Sequence, residues 1–132
     1  MFPVPVAVGL TVCEKVIVEE RTKNVSLVST FRRLRVREFP AHARPFCVFA
    51  TLLDGEGGAT IDLEITDSET SEVVYAVARS VSFPNRLTEV QVLFHVNDCG
   101  FPSPGVYQVA LFVDRDWVAH RLLSVSAVEE PS

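Results

Sequence analysis

The chain is poor in the residues from which small proteins build covalent staples and catalytic sites. Its 132 residues contain three cysteines, Cys13, Cys47 and Cys99, an odd number without C-x-x-C spacing. This pattern argues against a disulfide framework and against a zinc site, so we interpret all three as buried thiols. No G-x-S-x-G, H-x-H or H-E-x-x-H motif accompanies the three histidines. The sequence therefore carries no enzyme signature, and no cofactor or metal is predicted.

Targeting and membrane signals are also missing. The opening MFPVPVAVGLTVCEK has neither the basic segment nor the small-residue cleavage site of a signal peptide, and its apolar run of roughly ten residues is too short for a bilayer. We therefore expect a cytoplasmic protein without a membrane segment. Because there is no linker, low-complexity tract or long repeat, residues 1–132 are predicted to form a single domain with its own core.

What the sequence does contain is apolar alternation with a period of two. In ATIDLEIT, Ile61, Leu63 and Ile65 fall on one face, and Asp62 and Glu64 fall on the other. This pattern is typical of a half-buried strand. The predicted strands are 4–18, 24–37, 45–53, 58–66, 72–83, 87–97, 105–113 and 117–127. No window shows a convincing helical period, which excludes an α/β enzyme built on a parallel sheet.

Turn residues agree with this division into strands. DGEGG at 54–58 and DRD at 114–116 lie between apolar runs, as hairpin loops do. Phenylalanine precedes proline four times, and we expect each pair to end a strand, because the ring anchors it and proline cannot donate to a ladder. The pairs are Phe2-Pro3, Phe39-Pro40, Phe83-Pro84 and Phe101-Pro102. About eight antiparallel strands at this spacing predict a single all-β, two-sheet sandwich or a flattened barrel.

One segment narrows the sandwich class. SPGVYQV at 103–109 resembles the Gly-x-Tyr start of a late strand in immunoglobulin-like sandwiches, where the tyrosine hydroxyl bonds to an upstream backbone group. Ser103 stands where an acid is common, and Val109 stands where antibody domains carry a disulfide cysteine. The resemblance therefore implies an Ig-like sandwich, but not an antibody-type domain.

A second resemblance covers most of the chain. Its segments are VCEKVIVEERTKNVSLVSTFRRLRVREFP, FCVFATLLDGEGG and FPSPGVYQVALFVDRDWVAHRLLSV. Together they resemble a family of small uncharacterised bacterial proteins, with a Phe-Pro stop and a late PG-x-Y hairpin. This resemblance implies a β-sandwich and no assigned activity.

The charges are segregated along the sequence, although the formal net charge is −5. Five of the twelve cations lie within 32–44, namely Arg32, Arg33, Arg35, Arg37 and Arg44. Residues 45–78 contain no lysine or arginine and seven acids, which are Asp54, Glu56, Asp62, Glu64, Asp67, Glu69 and Glu72. Asp54 with Glu56 and Asp67 with Glu69 fall at opposite ends of a predicted strand, so we do not expect them to form a calcium site.

The arginines alternate within the predicted strand. Arg33, Arg35 and Arg37 share one face at intervals of about 6.6 Å, which leaves Leu34 and Val36 for the core. A guanidinium group binds carboxylates and phosphates well. The ladder therefore suits a solvated strand beside an acidic neighbour, an acidic protein partner or a polyanion.

Each of these alternatives has a distinct basis. Glu19 and Glu20 end the preceding strand and offer the acidic neighbour. A nucleic-acid site usually brings net basicity or aromatic residues on the same face, and neither is present. We therefore predict a non-catalytic interaction or assembly module, with Arg33, Arg35, Arg37 and Arg44 contacting a protein partner or a second copy. Polyanion binding is the alternative, and an unrecognised enzyme is the remote one.

One strongly apolar segment of the chain can be interpreted in two ways. FCVFATLL is hydrophobic on both faces, which indicates either a central strand covered on both sides or a sheet face that docks on another chain. Phe112 and Leu122 also fall on predicted outward faces. We expect Trp117, Tyr75 and Tyr107 in the core, which argues against an exposed aromatic platform for carbohydrate.

Overall fold

A computed structural model describes residues 4–128 of the protein. These residues form eleven β-strands and no helix. The strands are β1 (Val6–Val18), β2 (Val25–Thr30), β3 (Arg33–Val36), β4 (Ala41–His42), β5 (Phe46–Leu53), β6 (Gly57–Asp67), β7 (Val73–Phe83), β8 (Val90–Val96), β9 (Gly100–Phe101), β10 (Gly105–Val113) and β11 (Asp116–Ala127). The all-β prediction is confirmed. Eleven strands are observed instead of the predicted eight, because 24–37 is divided into β2 and β3 and the two-residue strands β4 and β9 were not predicted.

The strands form two larger sheets and a short ribbon. The first sheet has the order β2-β1-β5-β8, the second sheet has the order β3-β11-β10-β6-β7, and β4 pairs with β9 in the ribbon. All pairings in the first sheet and the ribbon are antiparallel. In the second sheet β3 runs parallel to β11, so the prediction of antiparallel pairing throughout is wrong at this edge.

Alternating side chains from both larger sheets fill one hydrophobic core. Val48, Ala50 and Leu52 of β5 face Ile61 and Leu63 of β6 across this core, and all five are fully buried. The outer side chains of β5 include half-buried Phe49 and Leu53. The two-sided hydrophobicity of FCVFATLL is therefore that of a central strand, with β1 and β8 on either side.

The predicted strand 24–37 is divided between the two sheets. At Phe31 the backbone N–H donates to the carbonyl of Val12 in β1, whereas the carbonyl of Arg32 accepts from the N–H of Ser124 in β11. Ser29 has a positive φ of 57° just before this point. The chain therefore leaves the first sheet as β2 and enters the second sheet as β3.

Turns and strand ends follow the local sequence. Asp114 and Arg115 both have positive φ, as a two-residue type I′ hairpin requires, and DGEGG joins β5 to β6 as predicted. Phe83 and Phe101 end β7 and β9 with buried rings, and a proline follows each. Phe39 packs on the core after β3, and Phe2-Pro3 lies outside the described residues.

Of the three aromatic side chains predicted in the core, Tyr107 is confirmed, Tyr75 is only partly buried against the core, and Trp117 is wrong. Tyr107 is fully buried, and its hydroxyl donates a 2.6 Å hydrogen bond to the carbonyl of Ser103, as the Gly-x-Tyr resemblance implies. Trp117 is 56% exposed, so its predicted core position is wrong. The reason is an irregularity between β10 and β11, where Leu111 pairs with Ala119 but Phe112 pairs with Trp117. The extra residue turns Trp117 to the outer face.

Candidate functional site

The four arginines predicted to bind a partner line one open groove. This basic groove has a volume of about 1100 Å³ and follows β3, the edge strand of the second sheet. Its charged lining residues are Arg33, Arg35, Arg37, Arg44 and Lys15, together with Glu14 and Glu38. Five cations against two carboxylates make the groove basic, although the chain as a whole is acidic.

The backbone of β3 determines which way the arginines point. Leu34 pairs with Val125 of β11, and its partly buried side chain packs against the core. Because side chains alternate along a strand, Arg33 and Arg35 project to the opposite, outer side of the second sheet. Both arginines are exposed, and their register partners are Ser124 and Ser126.

The predicted acidic neighbour of these arginines is not observed. Glu19 and Glu20 lie at the end of β1 in the first sheet, whereas β3 has joined the second sheet beside the serines of β11. Within residues 4–128 the close pairs of oppositely chargeable groups are Arg86 with Asp54, which is an ion pair, and His42 with Asp98, which is one only when the imidazole is protonated. None of the four predicted partner-binding arginines takes part in either pair.

Other arginines of the protein are tied into the fold. Arg79 donates to the carbonyl of Leu93 and lies over the ring of Phe94, with 5.1 Å between its guanidinium carbon and the ring centroid. Arg121 donates a 3.0 Å hydrogen bond to the carbonyl of Leu10 and so links the two sheets. The groove arginines make no such side-chain bond within the described part of the chain.

Two groove residues were not identified from the sequence. Lys15 comes from β1 of the first sheet, and His42 comes from the short strand β4. Their approach to β3 depends on the crossing of the chain between sheets at Phe31, and alternation alone does not encode that crossing. His42 also lies 3.2 Å from a carboxylate oxygen of Asp98 at the rim of the ribbon.

The cysteines are free and buried, as predicted. Cys47 and His95 come closest to a catalytic pair, with 3.6 Å between Sγ and Nδ1. Burial raises the pKa of the Cys47 thiol, so the thiolate needed for nucleophilic attack is disfavoured. Burial and the nearby Asp98 carboxylate raise the pKa of Cys99 to about 12.

The acidic residues are dispersed. Asp54 and Glu56 lie at the start of β6, whereas Asp67 and Glu69 lie at its other end. Asp67 accepts hydrogen bonds from the backbone N–H groups of Glu69 and Thr70, which orders the β6–β7 turn. Across residues 4–128 no three His, Cys, Asp or Glu side chains converge as metal ligands do.

Together these features define an all-β protein with a basic groove along an edge strand. Residues 9–126 match the model of DUF6941, described as a family of unknown function, and the chain belongs to this family. The predicted membership of an uncharacterised family is confirmed. No curated protein matches the chain.

Solved structures show similarity of fold at low sequence identity. A β-glucosidase from Listeria innocua in complex with isofagomine matches 96% of this chain, with a TM-score of 0.52 and 14% identity. An alkylpurine DNA glycosylase from Pseudomonas fluorescens, bound to DNA with an abasic site analog, matches 71% with a TM-score of 0.48 and 12% identity. The chain spans only 16% and 27% of these proteins, respectively.

Among residues 4–128 the structure has no helix with the length and hydropathy that crossing a bilayer requires.

Proposed function

We propose that the protein is a non-catalytic interaction module whose basic groove binds an acidic surface of a protein partner. One observation carries this proposal: four exposed arginines from β3 and from the segments on either side of β4 line one groove, without an ion pair inside residues 4–128. A guanidinium group without a carboxylate partner is available for charge-assisted hydrogen bonds with another molecule.

We also infer that the scaffold is an immunoglobulin-like sandwich. The shared core of the two larger sheets and the hydrogen bond from Tyr107 to Ser103 support this inference. In such a scaffold loops and edge strands commonly carry the binding function, because the core is committed to packing. The groove along β3 fits this division.

Affinity capture from native extract tests the proposal. The intact protein is compared with the variant Arg33→Ser/Arg35→Ser/Arg37→Ser in nuclease-treated extract, so that nucleic acid cannot bridge the partners. A matched control, Arg21→Ser/Lys23→Ser/Arg115→Ser, removes three cations outside the groove. We expect an acidic protein to be retained by the intact protein and the control and lost by the groove variant. Identical recovery by all three proteins would overturn the proposal.

Polyanion binding is the second candidate, since the same arginines fit phosphate groups. If four arginines each neutralise a phosphate of duplex DNA, log affinity falls against log salt with a slope of about −3.6. The measurement uses a labelled duplex oligonucleotide and the purified protein. Binding with that slope, abolished in the groove variant, would favour the polyanion and contradict the protein-partner proposal. The acidic net charge of the chain leads us to expect no such binding.

A further inference from the structure

The outer face of the second sheet carries an exposed apolar strip along its central strands β10 and β11. Trp117 is 56% exposed, Leu122 is 55% exposed and Val106 is 41% exposed. Half-buried Phe112 pairs with Trp117, and the Trp117 ring stacks on His120 with 4.8 Å between centroids. Gln108, His120 and Ser124 lie among these apolar residues on the same face. Several exposed apolar side chains at the centre of a sheet face are typical of an interaction surface.

Opposite charges lie on the two sides of this strip. On one side β3 presents Arg33 and Arg35 on the same outer face. On the other side, β6 presents Asp62 and Glu64 on the outer face, and the β6–β7 turn carries Glu69 and Glu72. The face therefore changes from basic through apolar to acidic across the sheet.

One row of residues shows this order directly. Arg33 pairs with Ser124, Ser124 pairs with Val106, and the carbonyl of Val106 accepts a hydrogen bond from the N–H of Ser68. Ser68 lies in the β6–β7 turn, beside Asp67 and Glu69. A basic edge and an acidic turn thus occupy opposite ends of a single row, with an apolar residue between them.

We propose that this face binds the same face of a second copy of the chain, as a symmetric dimer. The inference rests on the proposed function and names the partner of the arginines. A two-fold axis that runs along the strands, over the β10–β11 pair, places β3 of one copy opposite β6 of the other. Arg33 and Arg35 then face the β6–β7 turn of the second copy, and Trp117 faces Phe112 of the second copy.

The size of the face allows only a weak dimer. About this axis β11 overlaps β10 over about nine residues and β3 overlaps β6 over about four, whereas β7 faces no strand of the second copy. With strands about 4.8 Å apart, this contact covers about 400 Å² per copy, or about 800 Å² in total. Because this area is below that of standard interfaces, we expect a dissociation constant on the order of 100 µM. The charge order makes the interface self-complementary, because each copy supplies both a basic and an acidic side.

Light scattering after size-exclusion chromatography, between roughly 1 and 500 µM protein, tests this inference. We expect the mass to rise from one copy to two and to rise no further. Two charge-reversal variants probe the contact, namely Arg33→Glu/Arg35→Glu and Glu69→Lys/Glu72→Lys. Each variant alone opposes like charges, so we expect its dissociation constant to rise at least about tenfold. An equimolar mixture of the two restores both opposite-charge contacts and should again form dimers.

Controls separate this contact from general effects of charge and hydrophobicity. Arg21→Glu/Lys23→Glu changes the net charge as much as the basic-side variant does, but its residues lie in the β1–β2 turn, and it should dimerise normally. Trp117→Ser should weaken the dimer about tenfold or more. Leu87→Ser, which removes a 92% exposed side chain in the β7–β8 turn, should have no effect.

The outcomes also separate this inference from the proposed function. A purified protein that keeps the mass of one copy at every concentration would overturn the dimer. An equimolar mixture of the two charge-reversal variants that remains monomeric would also overturn the dimer. In either case the capture of an acidic protein through the groove arginines would still support the proposed function. A mass larger than that of two copies would indicate a head-to-tail contact instead of a symmetric one. That result would also overturn the dimer.

Discussion

Arg33 lies beside Ser124, its register partner on β11, and not beside an acidic residue. A strand that needed its arginines for stability would pair them with carboxylates on the neighbouring strand, and each such pair stabilises by roughly 0.2–1 kcal/mol. Here the neighbour offers serine hydroxyls, and the other side of β3 is the edge of the sheet. The arginines are therefore available for contacts beyond the single molecule.

The first prediction follows from this pairing. The variant Arg33→Ser/Arg35→Ser/Arg37→Ser should change the free energy of unfolding by less than about 0.5 kcal/mol, because no ion pair within residues 4–128 is lost. Urea denaturation of dilute protein, followed by tryptophan fluorescence, measures this change without a contribution from association. A loss of about 2 kcal/mol or more would show that the arginines serve the fold.

The second prediction concerns the corner at Tyr107. Tyr107→Phe removes the hydroxyl that donates to the carbonyl of Ser103, and we expect the free energy of unfolding to fall by about 1 kcal/mol. Tyr75→Phe is the matched control, since the Tyr75 hydroxyl makes no side-chain hydrogen bond within the described residues. Equal losses in the two variants would contradict an anchoring role for Tyr107.

The third prediction concerns Gly55 in the loop between β5 and β6. A Cβ added to Gly55 would lie 2.5 Å from the ring of Phe83, which is itself buried. We therefore expect Gly55→Ala to lower the free energy of unfolding by about 1–3 kcal/mol, through the cost of overpacking. At Gly58 the nearest atom to an added Cβ is 4.0 Å away, so Gly58→Ala should be tolerated. A stable Gly55→Ala variant would mean that the Phe83 ring moves aside freely.

The fourth prediction is a loss of stability at alkaline pH. Burial raises the pKa of Cys99 from an ordinary value of 9.0 to about 12, so the folded state favours the neutral thiol. The corresponding stabilisation is complete below the ordinary pKa and is lost as the pH rises from about 9 to 12. Cys99→Ala should lose less stability than the intact protein over this range, as measured by urea denaturation at each pH. Equal alkaline losses would show that Cys99 ionises as easily in the folded as in the unfolded state.

The sequence predicts the strands well because apolar residues occupy every second position of a strand, on the side that faces the core. Ile61, Leu63 and Ile65 fall on the buried side of β6, as the alternation indicates. The same signal does not reveal that residues 24–37 serve two sheets, because alternation continues on both sides of Phe31. The backbone hydrogen bonds of Phe31 and Arg32 place the crossing between them.

The sequence predicts which arginines line the candidate site. It does not predict which residues lie next to them. The spacing of the arginines identifies which side chains project outward together. Their neighbours depend on pairing with Ser124 and Ser126, far along the chain, and nothing near Arg33 indicates this pairing. Trp117 was misplaced for a related reason, because one extra residue in β11 reverses the face that its side chain occupies.

The parallel pairing of β3 with β11 also orders events during synthesis. Arg33 and its partner Ser124 are 91 residues apart (124 − 33), so β3 leaves the ribosome well before β11. At about 5–20 residues per second, β3 waits roughly 5–20 s for its only neighbour in the described structure. A strand exposed for that long is a target for wrong pairing, and positive charges on it repel other copies of itself. We therefore expect the arginines to oppose wrong pairing of the nascent β3 until β11 has been made.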